Sequence, residues 1–213
     1  MGFIPRFGQF LPGCWRPGWL GAGALVLVFS AGCHHVQPVD VQPLFAAGMN
    51  FDSVKQLKTM DLSISDVSEI AQARQAGFSD AACVQVFQIY RLRKQPFDAG
   101  DEIGGLLRAG ASEALVLNLA RLNQLGLASG ELLAMRLAGL SDDILLAVAQ
   151  RHANGQPVLS GASLAGMKNL GMRSDTLLQL AQRGVPESDA SAIMAARRHG
   201  LKDDAILRQF SGS

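Results

Sequence analysis

Gly77-Phe78-Ser79-Asp80 is written again as Gly110-Ala111-Ser112-Glu113, Gly139-Leu140-Ser141-Asp142, Gly171-Met172-Arg173-Ser174-Asp175 and Gly200-Leu201-Lys202-Asp203-Asp204. The five glycines are 33, 29, 32 and 29 residues apart, a spacing typical of repeat architectures. Seven residues before each glycine stands Ile70, Ile103, Leu132, Leu164 or Ile193, and four before it Ala73, Leu106, Met135, Met167 or Ala196. Positions three apart share one helix face. The glycine is expected to take the left-handed conformation that closes a helix, and a Ser or Asp two residues on to open the next. A second apolar pair follows six and seven residues after it: Cys83-Val84, Val116-Leu117, Leu145-Leu146, Leu177-Leu178 and Ile206-Leu207. Each unit therefore reads as an αα-hairpin.

The joints between units carry helix stops at Gln95-Pro96-Phe97, Leu125-Gly126-Leu127, Asn154-Gly155-Gln156-Pro157 and Gly184-Val185-Pro186. Small residues five and six places before the glycines (Gly104, Gly105, Ala134, Ala165, Gly166, Ala195) are expected to let helices approach closely. The fold class expected is all-α, a stack of about five short hairpin repeats over residues 60–213 forming a small solenoid-like array. Each hairpin is too small to bury its own apolar face, so neighbours complete the core.

Upstream, Trp19 to Gly32 carries no charge, Arg6 and Arg16 precede it, and no acid occurs before Asp40. A basic start, an apolar run and small residues at its end are the order of a secretory signal. The run reaches about 14 residues, short of the roughly 20 that a spanning helix needs. Ser30-Ala31-Gly32-Cys33 resembles the lipobox of bacterial lipoproteins, although Ser30 departs from the branched apolar residue usual three places before the Cys. The resemblance implies cleavage before Cys33 and acylation of its thiol; an ordinary signal cut near Gly32 is the alternative. Residues 1–32 are then a signal peptide. Residues 33–59, with Pro38, Pro43 and Gly48 spacing short apolar pieces, read as a flexible tether. His34 rather than Asp after the Cys resembles the default outer-membrane sorting signal, which implies an anchor facing the periplasm.

Removal of 1–32 leaves 17 bases against 18 acids, a net charge of −1 that offers no basic face for nucleic acid. Acids gather at the expected helix starts and bases at the ends, as helix dipoles favour. Asp142-Asp143 and Asp203-Asp204 resemble catalytic pairs, but they recur in register with the repeat, which a catalytic pair has no reason to do. The motifs of zinc proteases, serine hydrolases and nucleotide-binding loops are missing from the sequence. No cofactor or metal site is expected, and His34-His35 read as linker. Cys83, among Ala81, Ala82, Val84 and Val86, reads as a buried small hydrophobe rather than a reactive thiol.

One cluster stands out. Arg91-Leu92-Arg93-Lys94 follows Phe87 and Tyr90, and either ends a helix or forms a contact patch for an acidic partner or anionic lipid. The candidate binding patch is therefore Phe87, Tyr90, Arg91, Arg93 and Lys94. The hairpin unit resembles short helical repeats of bacterial envelope proteins, and Gly77-Phe78-Ser79 after Ala76 resembles the first turn of ubiquitin-associated-like three-helix domains; neither resemblance brings catalytic residues. The sequence points to a lipid-anchored, non-catalytic scaffold that binds another envelope protein and touches the membrane through Cys33. A periplasmic enzyme acting on cell-wall glycan and a self-associating structural lipoprotein are the alternatives.

Overall fold

The computed structural model describes residues 39–210, so residues 1–32, expected as a signal peptide, and Cys33 lie outside the described residues. Those residues form twelve α-helices and no strands. In chain order they are α1 (Gln42–Ala46), α2 (Phe51–Lys58), α3 (Ile64–Gln75), α4 (Asp80–Leu92), α5 (Gly100–Arg108), α6 (Glu113–Arg121), α7 (Glu131–Leu137), α8 (Asp142–Ala153), α9 (Gly161–Asn169), α10 (Ser174–Arg183), α11 (Ala190–Arg198) and α12 (Asp203–Gln209). Short 3₁₀ turns at Leu125–Ser129 and Glu187–Asp189 lead into α7 and α11.

Each odd-numbered helix is joined to the next even-numbered one through a glycine with positive φ, between 77° at Gly139 and 101° at Gly77. The backbone closes the same way each time. After α3, Phe78 N–H donates to Ala73 O at 3.1 Å and Gly77 N–H to Arg74 O at 3.0 Å, a Schellman turn that only a left-handed residue between them permits. Ser79 and Ser112 cap the following helices through the amides of Ala82 and Leu115, both at 3.2 Å. The expected side-chain cap is missing at Ser141, Arg173 and Lys202. Arg and Lys have no acceptor to offer, and acids in the first turns of α10 and α12 supply the favourable charge instead.

The apolar register carries the packing. Ile70, Ile103, Leu132, Leu164 and Ile193 are fully buried, as are Val116, Leu145, Leu177 and Ile206 of the second helices. Odd helices pack on odd helices and even on even: α1 on α3, α3 on α5, α5 on α7, α7 on α9 and α9 on α11, with α2, α4, α6, α8, α10 and α12 forming the other row. Ala196 and Leu201 remain half-buried because no described pair follows α11 and α12.

One boundary is corrected. The tether expected over 33–59 contains α1 and α2, with Leu44, Met49, Val54 and Leu57 buried. Ala47-Gly48-Met49-Asn50 is the same turn sequence 29 residues before Gly77, with φ +84° at Gly48 and Asn50 Oδ1 accepting from Ser53 N–H at 2.8 Å. Pro43, read as a break, lies in the first turn of α1, where its missing N–H has no partner to lose. Close approach occurs at Gly104 and Gly166, where a Cβ would lie 3.4 Å from the Ala76 Cβ and 3.2 Å from the Met194 Sδ, but not at Gly105, where it would make ordinary contact with Leu133 at 3.6 Å. It is tighter still at Gly100, at the start of α5, where a Cβ would lie 2.4 Å from Glu69 O.

Candidate functional site

The candidate patch on α4 is built largely into the fold. Phe87 is 0% exposed and Tyr90 9%, each edge-on to Phe97, with ring centroids 6.1 and 5.1 Å apart. They are core residues, because α4 turns this face inward and Phe97 closes over it from the joint before α5. Burial pushes the Tyr90 phenol up to about 12, helped by the charges of Asp98 and Glu102. Arg91 lies over the Phe87 ring at 4.7 Å, donates to Asp61 O at 2.9 Å and pairs with Asp66. Asp66 is 1% exposed and also accepts from Ser63 N–H at 2.8 Å, so Arg91 neutralises an otherwise buried carboxylate. Arg93 donates to Ala120 O at 2.5 Å and to Arg121 O at the end of α6. Lys94, exposed, adopts φ +56° and ends the helix. As a contact surface the five-residue patch is therefore corrected: two members are core and two are engaged by neighbouring backbone.

The same economy runs through the other charges. Arg74, Arg136 and Arg197 each stand three residues before a turn glycine, and each reaches the glycine carbonyl of the preceding pair: Gly48 O at 3.3 Å, Gly110 O, and Gly171 O at 2.7 Å. Each also faces an acid six residues on, Asp80 at 2.6 Å, Asp142 at 3.5 Å and Asp203 at 2.9 Å. Those acids in turn accept from the backbone of the preceding pair: Asn50 N–H to Asp80 at 2.8 Å, Ser112 N–H to Asp142 at 2.9 Å and Arg173 N–H to Asp203 at 2.9 Å. Glu113 takes Ser79 N–H and its hydroxyl the same way, at 2.6 and 2.8 Å. An open groove of about 680 Å³ lies over the first of these rungs, lined in part by Asn50, Arg74 and Asp80.

Asp142 and Asp203 thus hold one helix pair to the next, while Asp143 and Asp204 beside them are exposed. At the opposite turns Arg151 donates to Gln182 O and Arg183 to Leu207 O, both at 2.8 Å. The expectation is that helix-end bases serve their own helix; in the structure Arg74, Arg136 and Arg197 bond the carbonyl four residues on and also reach the preceding pair, while Arg93, Arg151 and Arg183 reach the following one. Glu187, whose carboxyl burial raises, is held below the usual range by hydrogen bonds from Ser160 N–H and the Ser163 and Ser160 hydroxyls. Cys83 is free and buried, its thiol pushed up to about 12, chiefly by burial. Its inward position agrees with the sequence reading.

A different surface collects apolar and basic groups. Phe51 is 70% exposed and Phe45 36%, and with Val41, Val54, Lys55 and Lys58 they line a cavity of about 400 Å³ on α1 and α2. These residues fall within the stretch expected as a tether; Gly48, in register with the other turn glycines, is the sequence signal that marks them. Among the described residues no group of three or more His, Cys, Asp and Glu is gathered to hold a metal ion, and no helix is long and apolar enough to cross a membrane. In comparisons with known proteins the chain matches no family model, no curated protein and no solved structure.

Proposed function

We propose that this chain is a lipid-anchored protein of the bacterial envelope, held by acyl groups on Cys33 at the periplasmic face of the outer membrane. Its helix pairs form a small solenoid-like array of six hairpins that serves as a non-catalytic scaffold for another envelope component. The observation that carries this reading is the destination of the polar side chains. Arg74, Arg136, Arg197, Asp80, Glu113, Asp142 and Asp203 all link one helix pair to the next. An array built this way has rigid, extended sides, the kind of surface that repeat proteins present to macromolecular partners.

Two experiments test it. Mass spectrometry of the native protein should find residues 1–32 removed and Cys33 acylated, and Cys33→Ser should yield unprocessed precursor or a soluble form; an intact N-terminus overturns the anchor. Cross-linking in intact membranes should recover one envelope component in stoichiometric amount. Release of soluble fragments from purified cell-wall glycan by the pure protein would overturn the scaffold in favour of an enzyme.

A further inference from the structure

We infer that the outer face of α1 and α2 is a membrane-docking surface that lays this end of the array on anionic lipid headgroups. The inference rests on the lipid anchor proposed at Cys33. The terminal unit of a helical stack ordinarily turns a polar face outward, because nothing follows to cover an apolar one. Here α1 contacts α2 and α3, and α2 contacts α1 and α4, leaving their far side without a described helix against it. That side carries the exposed rings of Phe51 and Phe45. Exposed Ile64, Leu92 and Leu137 stand on three other helices, Ile64 in a separate groove beside Asp40 and Pro43, whereas Phe45 and Phe51 share one cavity with Val41 and Val54.

Two facts select lipid as the occupant. The first is reach. Val39 lies six residues after Cys33, a span of at most about 22 Å when fully extended, so an acyl chain on Cys33 holds α1 and α2, and not the distant end of the array, against the bilayer. The second is charge. Phe51, Val54, Lys55 and Lys58 fall at i, i+3, i+4 and i+7, a single stripe of α2. An aromatic ring at the hydrocarbon boundary with flanking lysines reaching phosphates is the arrangement of interfacial helices. Asp52, the acid beside Phe51, does not line the cavity. A second copy docked face to face would bring the lysines against lysines, which like charges oppose.

The test uses a single tryptophan. Trp15 and Trp19 both precede Cys33, so the processed chain has none, and Phe51→Trp places one probe at the exposed position. The acylated variant is reconstituted into vesicles of phosphatidylethanolamine and phosphatidylglycerol with bromine on the acyl chains. Docking predicts blue-shifted emission quenched by bromine, and Lys55→Glu with Lys58→Glu should reduce the quenching to roughly a tenth, as should high salt. Emission typical of water and unquenched, in protein that floats with the vesicles, overturns the docking face while leaving the anchor standing. If the native chain proves unacylated, the same variant, with Trp15→Phe and Trp19→Phe added where residues 1–32 are retained, is mixed with the vesicles in solution: quenching then supports the face on its own, and no quenching overturns it. Loss of fluorescence intensity with protein alone, rising with concentration, would identify a second copy as the occupant and overturn lipid.

Discussion

Arg197 donates to the carbonyl oxygen of Gly171 at 2.7 Å while its other Nη stands 2.9 Å from the Asp203 carboxylate, so one guanidinium joins two successive turns and the start of α12. It also donates to Leu170 O at 3.2 Å and Leu201 O at 3.1 Å. Arg197→Ala leaves three carbonyl acceptors without this donor and removes one of the ion-pair partners of Asp203, and should lower stability by about 2–3 kcal/mol. Arg197→Lys keeps the charge but loses the planar fork, and should fall between the two. Urea unfolding with circular dichroism checks the order; equal stability of all three would show that the bracket contributes nothing.

The same corner sets a pH dependence. Burial raises the Asp203 carboxyl, but hydrogen bonds from Arg173 N–H, the Thr176 hydroxyl and the Arg173 side chain, with the charge of Arg197, outweigh it. The folded-state pKa therefore lies below that of the unfolded chain. The group contributes stability that is complete above the unfolded value of about 3.9 and is lost as pH falls through the folded value. Asp203→Asn should be less stable than wild type at about pH 6, and should lose less on going to about pH 2. Parallel melting curves across that range would refute the assignment.

Gly100 and Gly105 sit in one helix and should respond to alanine with opposite signs. A Cβ at Gly100 would lie 2.4 Å from Glu69 O, a backbone atom that cannot step aside, so Gly100→Ala should cost about 1–3 kcal/mol. Gly105 has its nearest neighbour at 3.6 Å, and Gly105→Ala should gain up to about 1 kcal/mol from helix propensity. Thermal melts of the two variants decide the matter.

Arg91→Glu should unfold the protein more readily, because it sets a second carboxylate against Asp66, which is buried and has Arg91 as its ion-pair partner. A loss of at least about 2 kcal/mol is expected. Lys94→Glu, on an exposed side chain, should stay within about 0.5 kcal/mol of wild type. If Arg91→Glu melts like wild type, the cluster is a solvated surface after all.

Cys83, with its thiol pushed up to about 12, is protonated and enclosed at neutral pH. Folded protein should therefore resist a thiol reagent that reacts at once in denaturant. A raised folded value also means that stability is complete below the unfolded thiol value near about 8.5 and declines above it as pH approaches 12. Rapid labelling of the native chain would contradict the buried position.

The sequence by itself determined the all-helical class, the turn at each glycine and the buried register, because these rest on local chemistry. A left-handed residue, an apolar stripe at helical spacing and a small capping group leave their mark within a dozen residues, as at Ile70, Ala73, Gly77 and Ser79. The first pair, α1 and α2, was equally legible in Gly48 but masked by its short helices and by Pro43. What only the tertiary structure decided is the role of the charges. Besides the local partners of Arg136 and Arg197, the guanidinium groups of Arg91, Arg136 and Arg197 reach partners 25 to 30 residues away, on another helix or turn. No local pattern tells a guanidinium that caps its own helix from one that reaches the next, because that depends on how closely helix pairs stack. For the same reason Phe87 and Tyr90 read as a surface beside three bases until Phe97 closed over them, while Phe51 read as linker until α3 and α4 packed behind its pair and left the ring outside.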